Sequence, residues 1–215
     1  MTAAFRPFRM KANNDQNDGE LLRLMLAGDE DALTLLYRRR QAAIYRFALQ
    51  MSGSPSVAED VTQEVFLFLM RQGHVFDAAR GSLPSFLLGV ARNYVLRRLR
   101  GEQLLVTLAD DYEDEVASEQ TRTEPGLLEE LTRAETIEAV RKAILSLPER
   151  YREVVVLCEL QELSYVETAE ILGCAIGTVR SRLHRARSLL LTKLRPAEQA
   201  DQTTEVTVKS ARCFA

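Results

Sequence analysis

A short turn between two amphipathic segments near the end of the chain restricts its fold more than any other feature. Ser164 and Glu167 have the spacing of a capping box, in which each side chain satisfies a free amide at the start of a helix. Ala169 allows two helices to cross closely, Gly173 can adopt the positive φ of a tight turn, and Val179 anchors the following helix. Together these positions predict a helix-turn-helix.

The second helix of this motif has an apolar stripe and an opposite face of arginines and short hydroxyl side chains. At about 100° per residue, the apolar side chains fall in one arc: Ile176, Val179, Leu183, Ala186 and Leu190. Thr178, Ser181 and Arg185 fall opposite this arc, and His184 lies beside them. The other arginines of the segment flank the apolar arc: Arg180, Arg182 and Arg187.

The charge of this segment indicates its partner. No acidic residue occurs from Cys174 to Arg195, a stretch that contains several arginines and a lysine. Small side chains allow a helix to approach base edges, and arginine bonds guanine or neutralises phosphate. The pattern therefore predicts a DNA-recognition helix. An amphipathic surface helix with solvated arginines is the alternative interpretation.

Apolar residues recur at helical spacing through most of the chain, without a convincing alternating strand pair. The predicted fold is all-α, with two small helical domains joined by a flexible acidic linker. The predicted segments are a disordered tail at 1–19, a first domain at 20–100, the linker at 101–133, a second domain at 134–195 and a terminal tail at 196–215.

Local signals predict the ends of several helices. Ser56 and Glu59 predict a capping box for a helix at 57–72, and a further helix is predicted at about 83–100 with Pro84 in its first turn. Pro148 predicts the start of a helix whose inward residues are Tyr151, Val154, Val155 and Cys158.

The net charge of −3 alone argues against a simple nucleic-acid binder, but the charges are segregated along the chain. Acids are concentrated between the two predicted domains, where they greatly outnumber the arginines. This asymmetry favours one basic, nucleic-acid-facing segment next to an acidic spacer.

Other classes of protein are disfavoured by what the sequence does not contain. No apolar run is long enough to cross a bilayer, and no signal-peptide core follows the basic residues near the start. We therefore expect a cytoplasmic protein without membrane insertion. Cys158, Cys174 and Cys213 lack metal-ligand spacing, so neither a metal nor a cofactor is predicted; a redox-sensing role is the alternative to simple packing.

Two sets of motifs resemble the sigma-70 family of bacterial RNA polymerase sigma factors. The stretches 147–154, 163–165 and 177–187 resemble region 4, which in that family reads the −35 promoter element and touches the polymerase β flap. Residues 58–66 resemble the region 2 helix that docks on the β′ clamp helices, and residues 76–82 and 90–93 resemble the part that reads the −10 element. Because no region 3 is recognisable between them, the chain resembles the extracytoplasmic-function (ECF) group.

The resemblance implies a role for individual residues. The residues assigned to the −35 element are Thr178, Arg180, Ser181, Arg182, His184, Arg185 and Arg187. Those assigned to the −10 element are Phe76, Asp77, Arg80, Ser82, Arg92, Asn93, Arg97, Arg98 and Arg100. Asp60, Gln63 and Glu64 are assigned to core polymerase. Phe86 stands where the family often has Trp and is expected to pack in the core.

The resemblance further implies that the chain directs core RNA polymerase to promoters under the control of an anti-sigma factor. An ordinary helix-turn-helix regulator that binds DNA alone is the main alternative, although the front half lacks the strand pattern of a receiver domain. An enzyme is the third possibility, but no glycine-rich phosphate loop or nucleophile motif is present.

Overall fold

The computed structural model describes residues 17–108 and 127–194, and those residues are almost entirely helical without a β-strand. The helices are α1 (Asp18–Leu26), α2 (Glu30–Ser52), α3 (Pro55–Gln72), α4 (Leu83–Leu108), α5 (Leu127–Leu145), α6 (Glu149–Val155), α7 (Tyr165–Leu172) and α8 (Ile176–Leu194). A 3₁₀ turn at Gly73–Val75 follows α3, and a π-helical turn at Val156–Leu160 continues α6. The prediction of an all-α fold is confirmed.

The chain divides into two compact units between Val106 and Thr107. In the first unit, α1 and α3 both pack on α2. The largest fully buried side chains of this unit are apolar: Leu21, Leu36, Ile44, Phe47, Met51, Val61, Val65, Leu69, Leu87 and Val95. Complete burial of such a side chain stabilises a fold by about 1.5–3 kcal/mol, so this shared core holds the loop and helices of the unit in position.

The start of α3 differs from the prediction. Ser54, and not Ser56, is the N-cap, and its side chain accepts a hydrogen bond from the Val57 amide at 3.4 Å. Pro55 is the first helical residue, where its fixed φ suits the helix and its missing N–H costs nothing. The predicted capping box of Ser56 and Glu59 is therefore wrong, because Ser56 lies inside the first turn.

The last helix of the first unit is longer than predicted. It begins at Leu83 as expected, and Ser82 caps it by accepting a hydrogen bond from the Ser85 amide at 3.3 Å. It continues to Leu108, beyond the predicted end near 100 and into the segment assigned to the linker. Leucine and glutamine are good helix formers, and the run of acids begins only afterwards. That acidic run, at residues 110–115, lies outside the described residues.

The second unit consists of α5 to α8, in which α6 and α7 both pack on α8. Its core includes the apolar residues Ile144, Leu147, Val154, Val155, Val156, Leu157, Val179, Leu183 and Ala186. The prediction for the α6 region holds for Tyr151, Val154 and Val155, which are buried, whereas Cys158 in the π-helical turn is only half-buried. The Arg152 guanidinium donates to the backbone carbonyls of Leu145 and Leu147, which closes the end of α5.

The described residues include no helix long and apolar enough to cross a membrane. They also include no cluster of histidine, cysteine and acidic side chains that could hold a metal ion.

Candidate nucleic-acid interface

The turn between α7 and α8 has the predicted local geometry. The Glu167 amide donates to the Ser164 hydroxyl at 3.2 Å, and the Ser164 amide donates to the Glu167 carboxylate at 3.0 Å, which completes the capping box. Gly173 has φ 61° and ψ 39°, the left-handed conformation that ends α7. The Cys174 amide then bonds back to the Ala169 carbonyl at 3.0 Å. These contacts fix the direction in which α8 begins.

The apolar arc of α8 is buried from Val179 onward. Val179, Leu183 and Ala186 are each at most 2 % exposed, which confirms them as the buried stripe. Ile176 is 38 % exposed, so its predicted place in that stripe is wrong. It is the first residue of α8, before the helix packs fully on α7. Leu190 is half-buried towards the other end.

The opposite face of α8 is open to solvent. Ser181, His184 and Arg185 are exposed, whereas Thr178 is half-buried and its carbonyl accepts a hydrogen bond from the Ser181 hydroxyl at 3.0 Å. Arg182 is also half-buried, in agreement with its predicted position beside the apolar arc. The side chains available at the surface are therefore a serine, a histidine and several arginines, as a major-groove helix requires.

Arg180 and Arg187 of α8 each contact a side chain from another part of the second unit. Arg180 lies over the ring of Tyr165 in α7, with its guanidinium carbon 5.9 Å from the ring centroid. Arg187 forms an ion pair with Glu159 at 2.5 Å. Both groups of this pair are substantially exposed, so water weakens their attraction.

Arg185 contacts the start of α6 through a tyrosine. The hydrogen bond from Arg185 to the hydroxyl of Tyr151 lowers the pKa of that phenol, and the positive charges of Arg150 and Arg185 act in the same direction. Arg150 lies 4.8 Å above the Tyr151 ring. Arg150 and Arg185 thus both act on this tyrosine, and Arg185 belongs to the predicted recognition helix.

In the first unit, one side of α4 carries four of the predicted DNA-binding residues. Arg92, Asn93, Arg97 and Arg100 line a surface pocket of about 360 Å³ together with Leu96. Arg97 also lies over the ring of Tyr94 at 5.2 Å. The side chains concentrate positive charge beside an amide, which is an arrangement suited to a phosphate backbone.

The loop before α4 holds the other residues assigned to the −10 element. Asp77 and Arg80 are exposed, and the Asp77 carboxylate accepts a hydrogen bond from the Ala79 amide at 2.9 Å. Phe76 is half-buried because its ring packs on Phe86, at 5.4 Å between centroids. Ser82 caps α4 as described above. The loop therefore presents two exposed charged side chains, while its two ends stabilise the fold.

The residues assigned to polymerase lie on α3, and two of them pair with an arginine of α4. Arg98 is 3.1 Å from Asp60 and 2.9 Å from Glu64. Gln63 is exposed and lines a groove of about 1160 Å³ between α2 and α3. The structure thus separates Arg98 from the pocket formed by the other α4 arginines.

Comparison with known proteins agrees with this architecture. The family model of sigma-70 region 2 matches residues 36–104, and that of sigma-70 region 4 matches residues 137–190. The chain is 33% identical over 177 residues to the ECF RNA polymerase sigma factor SigW of Bacillus subtilis, covering 78% of this chain and 91% of SigW. The chain belongs to the ECF sigma factors of the sigma-70 family.

Two further relatives support the same assignment. The ECF sigma factor SigE of Mycolicibacterium smegmatis is 34% identical over 183 residues, which cover 83% of this chain and 68% of SigE. The solved structure of the sigma factor RpoE in complex with the anti-sigma factor NepR from Bartonella quintana has a TM-score of 0.58 and 25% identity, covering 82% of this chain and 95% of that one.

As an ECF sigma factor, the chain binds core RNA polymerase and directs promoter-specific initiation of transcription. The region 2 match begins within α2 and ends within α4, and the region 4 match spans most of α5 to α8. This family assignment removes the ordinary helix-turn-helix regulator as an explanation of the motif.

Two features of the sigma factor were not predicted from its sequence. Tyr37, Leu67 and Met70 are exposed apolar side chains that line the α2–α3 groove beside Gln63. Leu67 and Met70 follow Gln63 at helical spacing, so a second, outward face of α3 was readable from the sequence. The contact between Tyr151 and Arg185 was not readable, because it depends on how α6 packs on α8.

Proposed function

We propose that this sigma factor recognises the −35 element with the exposed face of α8. The observation that carries the proposal is the division of that helix: Val179, Leu183 and Ala186 are buried, while Ser181 and Arg185 are open to solvent. A recognition helix needs this division, because it must be anchored on one side and narrow enough on the other to enter the major groove.

Within this helix, we assign two kinds of contact. Ser181 and Arg185 approach base edges, together with the half-buried Thr178. Arg180 and His184 border the same face of the helix. Arg182 and Arg187 lie nearer the domain and bind phosphate. The exposed ion pair of Arg187 with Glu159 supports this role, since a weak surface pair can be exchanged for a phosphate at little cost.

We assign the first unit to the −10 element. The pocket of Arg92, Asn93, Arg97 and Arg100 would hold the phosphates of the separated strand. Asp77 and Arg80, which are exposed in the loop before α4, would contact the base that leaves the stack. Phe76 and Ser82 take part by holding this loop. Arg98 does not line the pocket and pairs with Asp60 and Glu64.

We assign the outward face of α3 to the β′ clamp helices of core polymerase. Gln63 lines a groove whose exposed side chains include Tyr37, Leu67 and Met70, and apolar patches of this kind favour protein partners. Asp60 and Glu64 lie on the same helix and remain partly exposed while paired to Arg98. The second unit would contact the β flap.

Control by an anti-sigma factor is part of the proposal. RpoE, which shares this fold at 25% identity, was solved in complex with the anti-sigma factor NepR. We place the protein in the cytoplasm with the polymerase, and we assign it no enzymatic activity or cofactor of its own, because RNA synthesis belongs to the polymerase.

The experiment that tests the proposal compares DNA binding with and without core polymerase. We expect purified sigma factor to give sequence-specific binding to a −35/−10 promoter only when core polymerase is present, as measured by fluorescence anisotropy. Ser181→Glu, which adds a negative charge on the exposed face of α8, should abolish this specificity while core binding persists. Equal, specific binding by the free chain and by its complex would contradict the proposal.

A further inference from the structure

Arg180 of α8 lies against the face of an aromatic ring from the preceding helix. Its guanidinium carbon is 5.9 Å from the centroid of the Tyr165 ring, and both side chains are open to solvent. A guanidinium over a ring face is attracted by the negative charge of the π-system. Because Arg180 borders the face of α8 assigned to the −35 element, this contact lies at the edge of the proposed DNA interface.

The position of Tyr165 is set by the same turn that orients α8. Tyr165 is the first residue of α7 and directly follows the N-cap Ser164. The Thr168 amide donates to the Ser164 carbonyl at 2.9 Å, which fixes the backbone of this first turn. Helix α7 packs on α8, and Ala169 and Val179 are buried in these two helices. The ring therefore belongs to a helix whose start is fixed relative to α8.

We propose that Tyr165 is a positioning residue for promoter binding, which orders the Arg180 guanidinium beside the −35 element before DNA arrives. The inference rests on the proposed role of α8. An arginine side chain has many rotamers, and the binding of DNA must restrict them. Contact with a ring face restricts the guanidinium without engaging its N–H groups in a hydrogen bond. Those donors then stay available for a phosphate or a base edge.

Arg187 is held in a different manner, and this difference supplies a control. Its Nη2 donates to Glu159 Oε1 at 2.5 Å, so a phosphate must displace the carboxylate before that nitrogen can bind it. The face of the Tyr165 ring does not compete for N–H donors, so Arg180 can keep its contact with the ring while it binds DNA. Loss of the ring should therefore act on DNA binding through Arg180 and not through Arg187.

The test is transcription by reconstituted holoenzyme from a randomised −35 library, repeated over a range of salt concentrations. Arg180→Ala defines what Arg180 contributes, which is either preference at one base position or a uniform, salt-dependent affinity. Tyr165→Leu removes the aromatic ring and should reduce that same contribution by about 2- to 5-fold, the value of an exposed cation–π contact. Tyr165→Phe retains the ring and should behave as the wild-type protein.

Double variants separate positioning from general stability. If Tyr165 acts through Arg180, Tyr165→Leu/Arg180→Ala equals Arg180→Ala, whereas the effects of Tyr165→Leu and Arg187→Ala add. The inference fails if Tyr165→Leu weakens Arg180→Ala further, or if Tyr165→Phe loses as much as Tyr165→Leu, because the hydroxyl would then be the active group. It also fails if Arg180→Ala or Tyr165→Leu matches the wild-type protein.

Failure of the inference is distinguishable from failure of the proposed function. Arg185→Ala in the same library tests base reading by α8 independently of Tyr165. If Arg185→Ala relaxes the −35 preference while Tyr165→Leu has no effect, the proposed function stands and the positioning role is overturned. If neither Arg185→Ala nor Arg180→Ala changes the library, the proposed function of α8 is overturned, and the inference with it.

Discussion

Arg98 of α4 donates a hydrogen bond to the Glu64 carboxylate of α3 at 2.9 Å. The same guanidinium lies 3.1 Å from Asp60, one turn earlier on α3. An arginine that the sequence assigned to promoter DNA is thus paired with two acids assigned to polymerase. Because all three side chains are more than a third exposed, each pair contributes little to stability, about 0–1 kcal/mol. The acids can exchange this partner for one on the polymerase.

Charge reversal of these acids should weaken binding to core polymerase. We expect Asp60→Lys/Glu64→Lys to lower the affinity by about tenfold or more, since each charged hydrogen bond contributes about 1.5–3 kcal/mol. The helical circular dichroism should be unchanged. Affinity is measured by titration of labelled sigma factor with core enzyme.

The control for this prediction is Arg98→Ala, which removes the internal partner without changing the acids. It should bind core polymerase at least as well as the wild-type protein. If the reversed variant binds normally, or if Arg98→Ala loses affinity to the same extent, these acids do not contact the polymerase.

The loop before α4 should be needed for opening of the −10 element. Replacement of residues 78–81 by a Gly-Ser segment of equal length removes the Arg80 side chain, but retains Asp77, the packed Phe76 and the cap Ser82. We expect fewer permanganate-reactive thymines in the promoter, because a displaced base loses its contacts. Normal reactivity with this variant would show that the loop has no part in opening.

Local sequence signals predicted the turn of the helix-turn-helix because every contact that forms it is close in sequence. Ser164 and Glu167 cap each other three residues apart, and Gly173 alone supplies the left-handed residue. The start of α3 was mispredicted because two local signals compete there. Ser54 and Ser56 are both possible caps, and Pro55 decides between them by occupying the first helical position.

Local signals of this kind do not predict contacts between elements that are distant in sequence. Helical periodicity placed Arg185 opposite the buried stripe, but could not show that it acts on the pKa of Tyr151 in α6. Likewise, Arg98 followed other arginines of α4 in sequence, and only the packing of the first unit places it beside Glu64. Periodicity gives the face of a helix, whereas the neighbour of that face depends on tertiary packing.

The left-handed turn at Gly173 should be required for stability. A Cβ at Gly173 would meet no atom within 4 Å, so the cost of Gly173→Ala comes from its φ of 61° alone. We expect a loss of about 1–2 kcal/mol in the free energy of unfolding, measured by urea denaturation. Gly177 has equally open surroundings but lies in α8, so Gly177→Ala should be neutral or stabilising. Equal effects of the two substitutions would contradict this explanation.

Cys158 should be a poorly reactive thiol in the folded protein. Burial raises its pKa, an effect larger than the opposing hydrogen bond with Thr168 at 3.3 Å. In a Cys174→Ser/Cys213→Ser background, we expect iodoacetamide to modify Cys158 more slowly in native protein than in urea at the same pH. Because the folded-state pKa is the higher one, this thiol's contribution to stability is present below the ordinary thiol pKa and is lost as the pH rises through the folded value. Equal rates in the folded and unfolded protein would contradict the burial argument.

Base reading by α8 is tested most directly by transcription from a randomised −35 library with Arg185→Ala and Arg187→Ala holoenzymes. Arg185→Ala should relax preference at one base position, with a loss of about 1–3 kcal/mol of discrimination. Arg187→Ala should weaken all sequences about equally and reduce the salt dependence of binding, as loss of a phosphate contact does. An Arg185→Ala enzyme that keeps the wild-type −35 preference would contradict the assignment of α8 as the helix that reads bases through this arginine.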